Sequence, residues 1–389
     1  MEFIDLASQQ KRIRTVIESR IQALLDHGKY IMGPEVKELE GQLAAFTGSK
    51  HCISCASGTD ALLMALMAHE IDAGDAIFVP AFTFFATAEM PALLGATVVF
   101  VDIDPFTFTM CPNQLKKAIL AVKHQDPSIY PLPVTALETE LTPRAVIPVD
   151  LFGQAADYTR ILNIAKQFNL YSIEDAAQSF GATYKDQSTC NLGCDCAVTS
   201  FFPAKPLGCY GDGGAIFTNN DKLAGILKSI RVHGKGQHKY ENVRIGVNGR
   251  LDTLQAAILL AKLDVFPNEL CTRQTVATWY TKELTGVKDI TLPHIAPGNF
   301  SVFAQFSIRI GSDMRDIAAI YLAEKDIPTN IYYPKPLHIQ PAFADQYYEA
   351  EDMPISTTCS HDILSLPFHP YMTQDDVKLV CNTLKEVLS

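Results

Sequence analysis

The chain has 389 residues, 48% hydrophobic and 19% charged, with a formal net charge of −11. That length admits two domains with sizeable cores, and the composition is that of an ordinary globular protein. An acidic balance with no basic cluster along one face argues against nucleic acid as a partner, because neutralising phosphates requires such a patch.

The amino-terminal MEFIDLASQQKRIR mixes acids and bases and has no apolar signal core. No stretch approaches the ~18 uninterrupted apolar residues of a membrane span. Residues 80–103 come nearest, but they carry Glu89, Pro91 and Asp102 and read as buried helix and strand. Of the ten cysteines, Cys190, Cys194 and Cys196 fall close together. CNLGCDC has neither a CxxC pair nor a matching distant His or Cys set, so no metal is expected. Reduced thiols in a cytoplasmic protein are the expectation.

Within residues 10–26, Ile13, Val16, Ile17, Ile21, Leu24 and Leu25 recur at helical spacing. Gly28 can end that helix, and Gly33-Pro34 can open the next with Glu35 in its first turn. Tyr30 lies in the connecting turn, either as a packed ring or as part of a site. In CISCASGTDALLMALMA an apolar run breaks at Ser57-Gly58-Thr59-Asp60 and resumes with helical period. A helix N-cap alone explains this. The same outward amides and helix dipole suit a phosphate, and Gly58 permits close approach.

From Asp75 onward, apolar runs alternate with helical patterns: AIFVP, a helix across 83–94, TVVFVDI, a helix from Pro112, AVIPVDLFG, a helix from Asp157, YSIEDA, AVTSFF and GGAIFTN. Strands lacking polar alternation, separated by helices, predict a mostly parallel sheet covered on both faces, with functional groups at the strand carboxyl ends. Phe82 lies just beyond the first of these runs, as a core residue or as a ring at the site. Residues 123–144 hold four prolines and no clear period, and read as a surface excursion. Asp150, on VDLFGQ, is a carboxylate that needs a partner if buried.

Two segments carry the most chemistry, SIEDAAQSFGA (172–182) and TSFFPAKPLGCYGDGGAIF (199–217). The first ends a strand on Glu174-Asp175. The second places Lys205 between Pro203 and Pro206, which bars it from a helix interior and holds it on a stiff loop at a strand end. The glycines at 208–214 precede a strand and lack the GxxxxGK[ST] order, so they are not a P-loop. A second region starts at GVNGR (246–250), followed by the strong helix LDTLQAAILLAKL. It continues through FAQFSIRI and IPTNIYYP, and closes with an amphipathic helix over 375–388. The expected domains are 1–245 and 246–389.

Together these segments, from FIDLASQQ to LSLPFHP, resemble the DegT/DnrJ/StrS family of sugar aminotransferases, of the pyridoxal-phosphate (PLP) transferase fold type I. The resemblance implies an α/β fold: a mostly parallel seven-stranded sheet sandwiched by helices, plus a smaller α+β carboxyl-terminal domain. It implies Lys205 as the Schiff-base lysine for PLP, Asp175 against the pyridine nitrogen, Gln178 on the ring hydroxyl and Phe82 stacked on the ring. Gly58, Thr59 and Ser200 would hold the phosphate. Asn248 would hold the phosphate of a partner subunit, in a homodimer with shared active sites. Gly28, Tyr30, Arg250, Tyr332 and Tyr333 would line the substrate side.

The chain departs from the pattern at Asp150, where relatives carry His or Ser, at Ala204, where close relatives carry Ser, and at Tyr332, where they carry His. The implied reaction moves an amino group from L-glutamate to a UDP-linked ketosugar, at C3 of a 3-oxo-glucuronate. A dTDP-3-keto-6-deoxy or UDP-4-keto sugar is the alternative acceptor. A sugar dehydratase of this fold would carry histidine in place of Lys205. A non-catalytic regulator would show decay of the cofactor residues, all of which stand.

Overall fold

The computed structural model describes residues 1–238 and 240–388. Two helices open the chain, α1 (Leu6–His27) and α2 (Pro34–Thr47). Asp5 caps α1 by accepting from the Ser8 amide, and Gly28 ends it with φ 67°, a left-handed position that suits glycine. The alternation read from the sequence then follows: β1 (His51–Cys55), α3 (Gly58–Ala68), β2 (Asp75–Pro80), α4 (Ala86–Leu93), β3 (Thr97–Val101), α5 (Pro112–His124), α6 (Val134–Glu138), β4 (Thr142–Val146), α7 (Tyr158–Phe168) and β5 (Tyr171–Asp175). A short hairpin, β6 (Thr183–Tyr184) and β7 (Gln187–Ser188), precedes β8 (Cys196–Ser200), β9 (Gly214–Thr218) and α8 (Asp221–Ile230).

The main sheet has seven strands in the order β1-β9-β8-β5-β4-β2-β3. Only β9 runs against the others, pairing antiparallel with both β1 and β8. Every residue of β3 is buried and β2 is buried after its first position, as the uninterrupted apolar runs require of strands covered on both faces. The carboxyl ends of β2, β5 and β8 therefore open on one edge, where α4, the 176–180 turn and the Lys205 loop begin.

The rest of the chain comprises α9 (Thr253–Leu263), α10 (Phe266–Leu284), β10 (Ile290–Thr291), β11 (Asn299–Phe300), β12 (Phe306–Ile310), α11 (Ser312–Glu324), α12 (Pro354–Asp362), β13 (Ile363–Leu366) and α13 (Gln374–Leu388). A second sheet, β10-β12-β13, is antiparallel and packs on α10, α11 and α13, an α+β unit. The expected boundary at 245/246 does not coincide with a break in the core. Ala256, Leu259 and Leu260 of α9 pack with Val36, Leu39 and Phe180 of the large unit, whereas the core of the small unit starts at Val276, within α10. β11 likewise pairs with β6 of the large unit.

Residues 123–144 are only partly the surface excursion the prolines suggest: 123–125 and 137–140 are exposed, but the segment also dips into the core. Tyr130, Leu132, Ala136 and Leu141 are buried in the main core. The Tyr130 hydroxyl accepts from the Asp102 amide at 2.9 Å and donates to Met353 Sδ at 3.1 Å. Asp102 is itself a buried clasp between the units. It accepts from the amides of Ile355 and Ser356 and from the Ser356 hydroxyl (3.0, 2.9 and 2.6 Å), at the first turn of α12. A carboxylate there also meets the positive end of the helix dipole. Asp102→Ala leaves those donors buried without an acceptor and is expected to cost about 2–4 kcal/mol. Urea unfolding at neutral pH should show the lower midpoint.

Candidate active site

The site is built where three strand ends meet. β1 gives way to α3 through Ser57, whose hydroxyl accepts from the Asp60 amide at 3.0 Å and fixes the helix start. The first amides of such a helix have no intrahelical acceptor and face outward. A Cβ on Gly58 would fall 2.7 Å from Cβ of Ser200, so only glycine lets the α3 start and the end of β8 meet this closely. The structure thus brings Gly58, Thr59 and Ser200 together in one cradle. Its open amides, hydroxyl and helix dipole fit a phosphate.

Beyond Ser200 the chain turns through Pro203 and Lys205, with the Lys205 amide donating to Phe202 O at 2.9 Å. A Cβ on Gly208 would sit 2.5 Å from Pro203 O, so the loop closes on itself. This tight closure and the two prolines hold the lysine in place. Lys205 lies within electrostatic reach of Asp175, the last residue of β5, and each moves the titration of the other. Burial depresses the Lys205 ammonium, and the Asp175 charge partly restores it. Burial raises the Asp175 carboxyl, which hydrogen bonds from the Ala177 amide and the Thr87 hydroxyl and the Lys205 charge pull back down. Those bonds are 3.2 Å to Oδ1 and 3.0 Å to Oδ2.

Gln178, one turn on, accepts from the Phe152 amide at 2.8 Å and donates to the Tyr333 hydroxyl at 3.2 Å. Tyr333 comes from the small unit, so this bond ties the two units across the site. Tyr332 packs edge-on against Tyr333 and Phe3.

Phe82 does not present a face to this opening. It is 1% exposed in an apolar cluster with Ile103, Phe108, Val149 and Phe152, edge-on to Tyr333. Two residues on, Phe84 is 57% exposed and stands beside Tyr333 at 6.4 Å between ring centres. A ring that stacks on a bound ligand must be accessible, so the geometry favours Phe84 over Phe82 for that task. Sequence reasoning also missed Thr87. Its position in the first turn of α4, directly after a strand carboxyl end, was the available signal.

Gly28, Tyr30, Asn248 and Arg250 form a separate group. The Thr253 amide donates to Tyr30 O, and the Ala56 amide to Gly249 O, so this loop runs behind the β1–α3 turn. Among the described residues, no hydrogen bond or ring contact joins these four residues to Lys205, Asp175 or Gln178. Asn248 is exposed, and Arg250 Nε is a buried donor without an acceptor in its own chain. Among the described residues, no group of three or more His, Cys, Asp or Glu could hold a metal ion.

A lysine amine within electrostatic reach of a buried carboxylate, beside a phosphate cradle at the carboxyl ends of a parallel sheet, is the layout of a PLP site. Residues 11–385 match the DegT/DnrJ/EryC1/StrS aminotransferase family, and the chain belongs to it. It is an aminotransferase. It is 48% identical over 386 residues to UDP-2-acetamido-2-deoxy-3-oxo-D-glucuronate aminotransferase of Pseudomonas aeruginosa, covering 99% of both chains. It is 39% identical to a pleiotropic regulatory protein of Geobacillus stearothermophilus, over 98% of this chain and 97% of that protein. Among solved structures, a DegT DnrJ EryC1 StrS aminotransferase from Brucella abortus superposes with TM-score 0.91 at 45% identity, covering 99% of both chains.

Because Asp175 supports the charge on Lys205, Asp175→Asn is expected to move the lysine's titration to lower pH. Acetylation of Lys205 in ligand-free protein, followed by peptide mass spectrometry across pH, should show its midpoint displaced in the acid direction.

Proposed function

We propose that this chain uses PLP to move the amino group of L-glutamate to C3 of UDP-2-acetamido-2-deoxy-3-oxo-D-glucuronate, in the making of a bacterial surface polysaccharide. The observation that carries the reading is 48% identity along the full length of an enzyme named for that acceptor. Lys205 and Asp175, within electrostatic reach of each other in a buried site, support the chemistry.

When bound, PLP supplies an electron sink and a carrier for the amino group between two half-reactions. Asp175, whose charged form is favoured by Thr87, Ala177 and Lys205 against the effect of burial, would hold the proton on the ring nitrogen. Gly58, Thr59 and Ser200 would hold the phosphate. Gln178, braced by Phe152 N and Tyr333, would orient the ring hydroxyl. The exposed Phe84 would pack on the ring. Burial depresses the Lys205 ammonium, which favours the neutral amine; its Nζ would take the proton from the α-carbon of the donor as general base and deliver it, as general acid, to the cofactor carbon that bears the amino nitrogen.

A second copy of the chain completes the site in this reading. Tyr30, Ile31, Phe202 and Ile245 are exposed large apolar residues, as an interface between copies requires. Arg250 would meet the uronate carboxylate in the partner's site, and Asn248 the partner's phosphate. Among the described residues no helix is long and apolar enough to cross a membrane. A cytoplasmic enzyme drawing on glutamate and UDP-sugar pools fits this reading.

Glutamate added to the yellow holoenzyme should abolish its visible absorbance band, and the 3-keto uronate should restore it. Restoration by a dTDP-3-keto or UDP-4-keto sugar but not by the uronate would overturn the acceptor assignment. A band that glutamate leaves unchanged would favour the regulator.

Mixing Lys205→Ala with Arg250→Ala protein tests the shared site. Neither parent should turn over appreciably, whereas mixed dimers carry one site with both residues intact and should recover up to half the activity per dimer. Zero recovery after verified subunit exchange would place both residues in one protomer's site.

A further inference from the structure

Residues 202–212, which carry Lys205, lie between β8 and β9 and belong to no helix or strand. Bonds within the loop close its neck. The Phe201 amide donates to Gly213 O at 2.7 Å, and the Cys209 amide to Phe201 O at 2.8 Å. These bonds fix the shape of the loop but not its placement against β5 and the phosphate cradle.

A hold from outside comes from α9. Gln255, in the first turn of that helix, engages the Tyr210 backbone in both directions. Its Oε1 accepts from the Tyr210 amide at 2.9 Å, and its Nε2 donates to Tyr210 O at 3.1 Å. The fit is close, since a Cβ on Gly211 would fall 3.0 Å from Gln255 Nε2. Two turns on, and so on the same face of the helix, stands Lys262. It is 1% exposed, and its Nζ lies 4.2 Å from the centre of the Tyr210 ring with no hydrogen-bond partner among the described residues. A desolvated ammonium is drawn to such a ring face. The Tyr210 ring also packs beside Ile258 and Ala261 of α9 and Ile13 and Ile17 of α1.

The helix that grips Tyr210 is itself anchored. Nine of its eleven residues are buried. The Thr253 hydroxyl accepts from the Gly33 amide at 3.0 Å, and the Thr253 amide donates to Tyr30 O at 3.2 Å. Just before the helix, Gly249 O accepts from the Ala56 amide at 3.1 Å, one residue from the Ser57 cap of the cradle. One rigid element therefore touches the Lys205 loop, the approach to the cradle and the 30–33 turn.

We propose that Gln255 is a positioning residue for Lys205, its paired bonds to Tyr210 holding the lysine's loop in register with the cradle. Glutamine suits the task because its amide both accepts and donates. Glutamate would accept but would set a carboxylate against Tyr210 O, and methionine matches the length with neither bond. Without the clamp the Tyr210 amide loses its acceptor and the loop opens more often. A displaced amine then transfers protons slowly, because small misplacements of a reacting group cost large factors in rate.

The inference rests on the PLP reading above, with Lys205 as the reactive lysine, and Gln255→Met tests it in two ways. Hydrogen exchange by mass spectrometry on PLP-free protein, in which nothing tethers the lysine, should show peptides across 201–213 exchanging about tenfold faster. Peptides of β2, β4 and β5 should exchange as in wild type. In the holoenzyme, saturating glutamate should remove the visible band at least about tenfold more slowly, with the half-saturating concentration within about threefold of wild type. A loop that exchanges as in wild type, faster exchange spread through the sheet, or an unchanged rate of band loss overturns the proposal. If the methionine variant does not fold, Gln255→Glu carries the same test with the same expected outcomes. Borohydride labelling separates the two readings. A wild-type label on a lysine other than Lys205 overturns the PLP site and this inference together, whereas a label on Lys205 with an unaltered variant loop overturns the inference alone.

Discussion

The structure depends on a lysine amine and a buried aspartate carboxylate that act on each other electrostatically at the carboxyl edge of a parallel sheet. Either group alone would be costly to desolvate, and together they leave hydrogen-bonding capacity that must be met on the spot. Thr87 and the Ala177 amide meet it for Asp175. The proline-flanked loop fixes Lys205 in place. Both partners therefore need rigid supports from different elements: β5, α4 and the loop after β8. The sheet order, with β5 beside β8, supplies that adjacency.

The two units are coupled through polar side chains as well as packing. Gln178 reaches Tyr333, Asp102 holds the start of α12, and Tyr130 bridges Asp102 and Met353. The small unit thus contributes a hydroxyl to the site from a fixed position, and α9 with β11 keeps its approach packed on the large unit. Of the aromatic rings around Tyr333, Phe84 is exposed.

What could be read from the sequence follows from how local each signal is. The apolar runs of β2, β3 and β5, the N-cap at Ser57 and the prolines around Lys205 each express their geometry within a few residues. The sequence singles out Phe82 and gives no sign of Phe84, because residues 81–85, between the end of β2 at Pro80 and the start of α4 at Ala86, have no period that tells a buried ring from an exposed one. The packing of Tyr130 depends on Met353, 223 positions away, and its irregular surroundings gave no period to find. Asp150 could be flagged as an acid in need of partners. That those are Tyr158, Ser179 and Ala156 N, with Glu174 as the acid left short, emerges only when β4, β5 and α7 are packed. Nothing in the structure accounts for Ala204 standing where close relatives carry serine.

The most direct measurement is borohydride reduction of the holoenzyme followed by peptide mapping. The account predicts one cofactor-sized mass increment per chain, on the peptide containing Lys205. Stoichiometric labelling of any other lysine, or none in protein that retains its visible band, would contradict the site assignment and the reaction built on it.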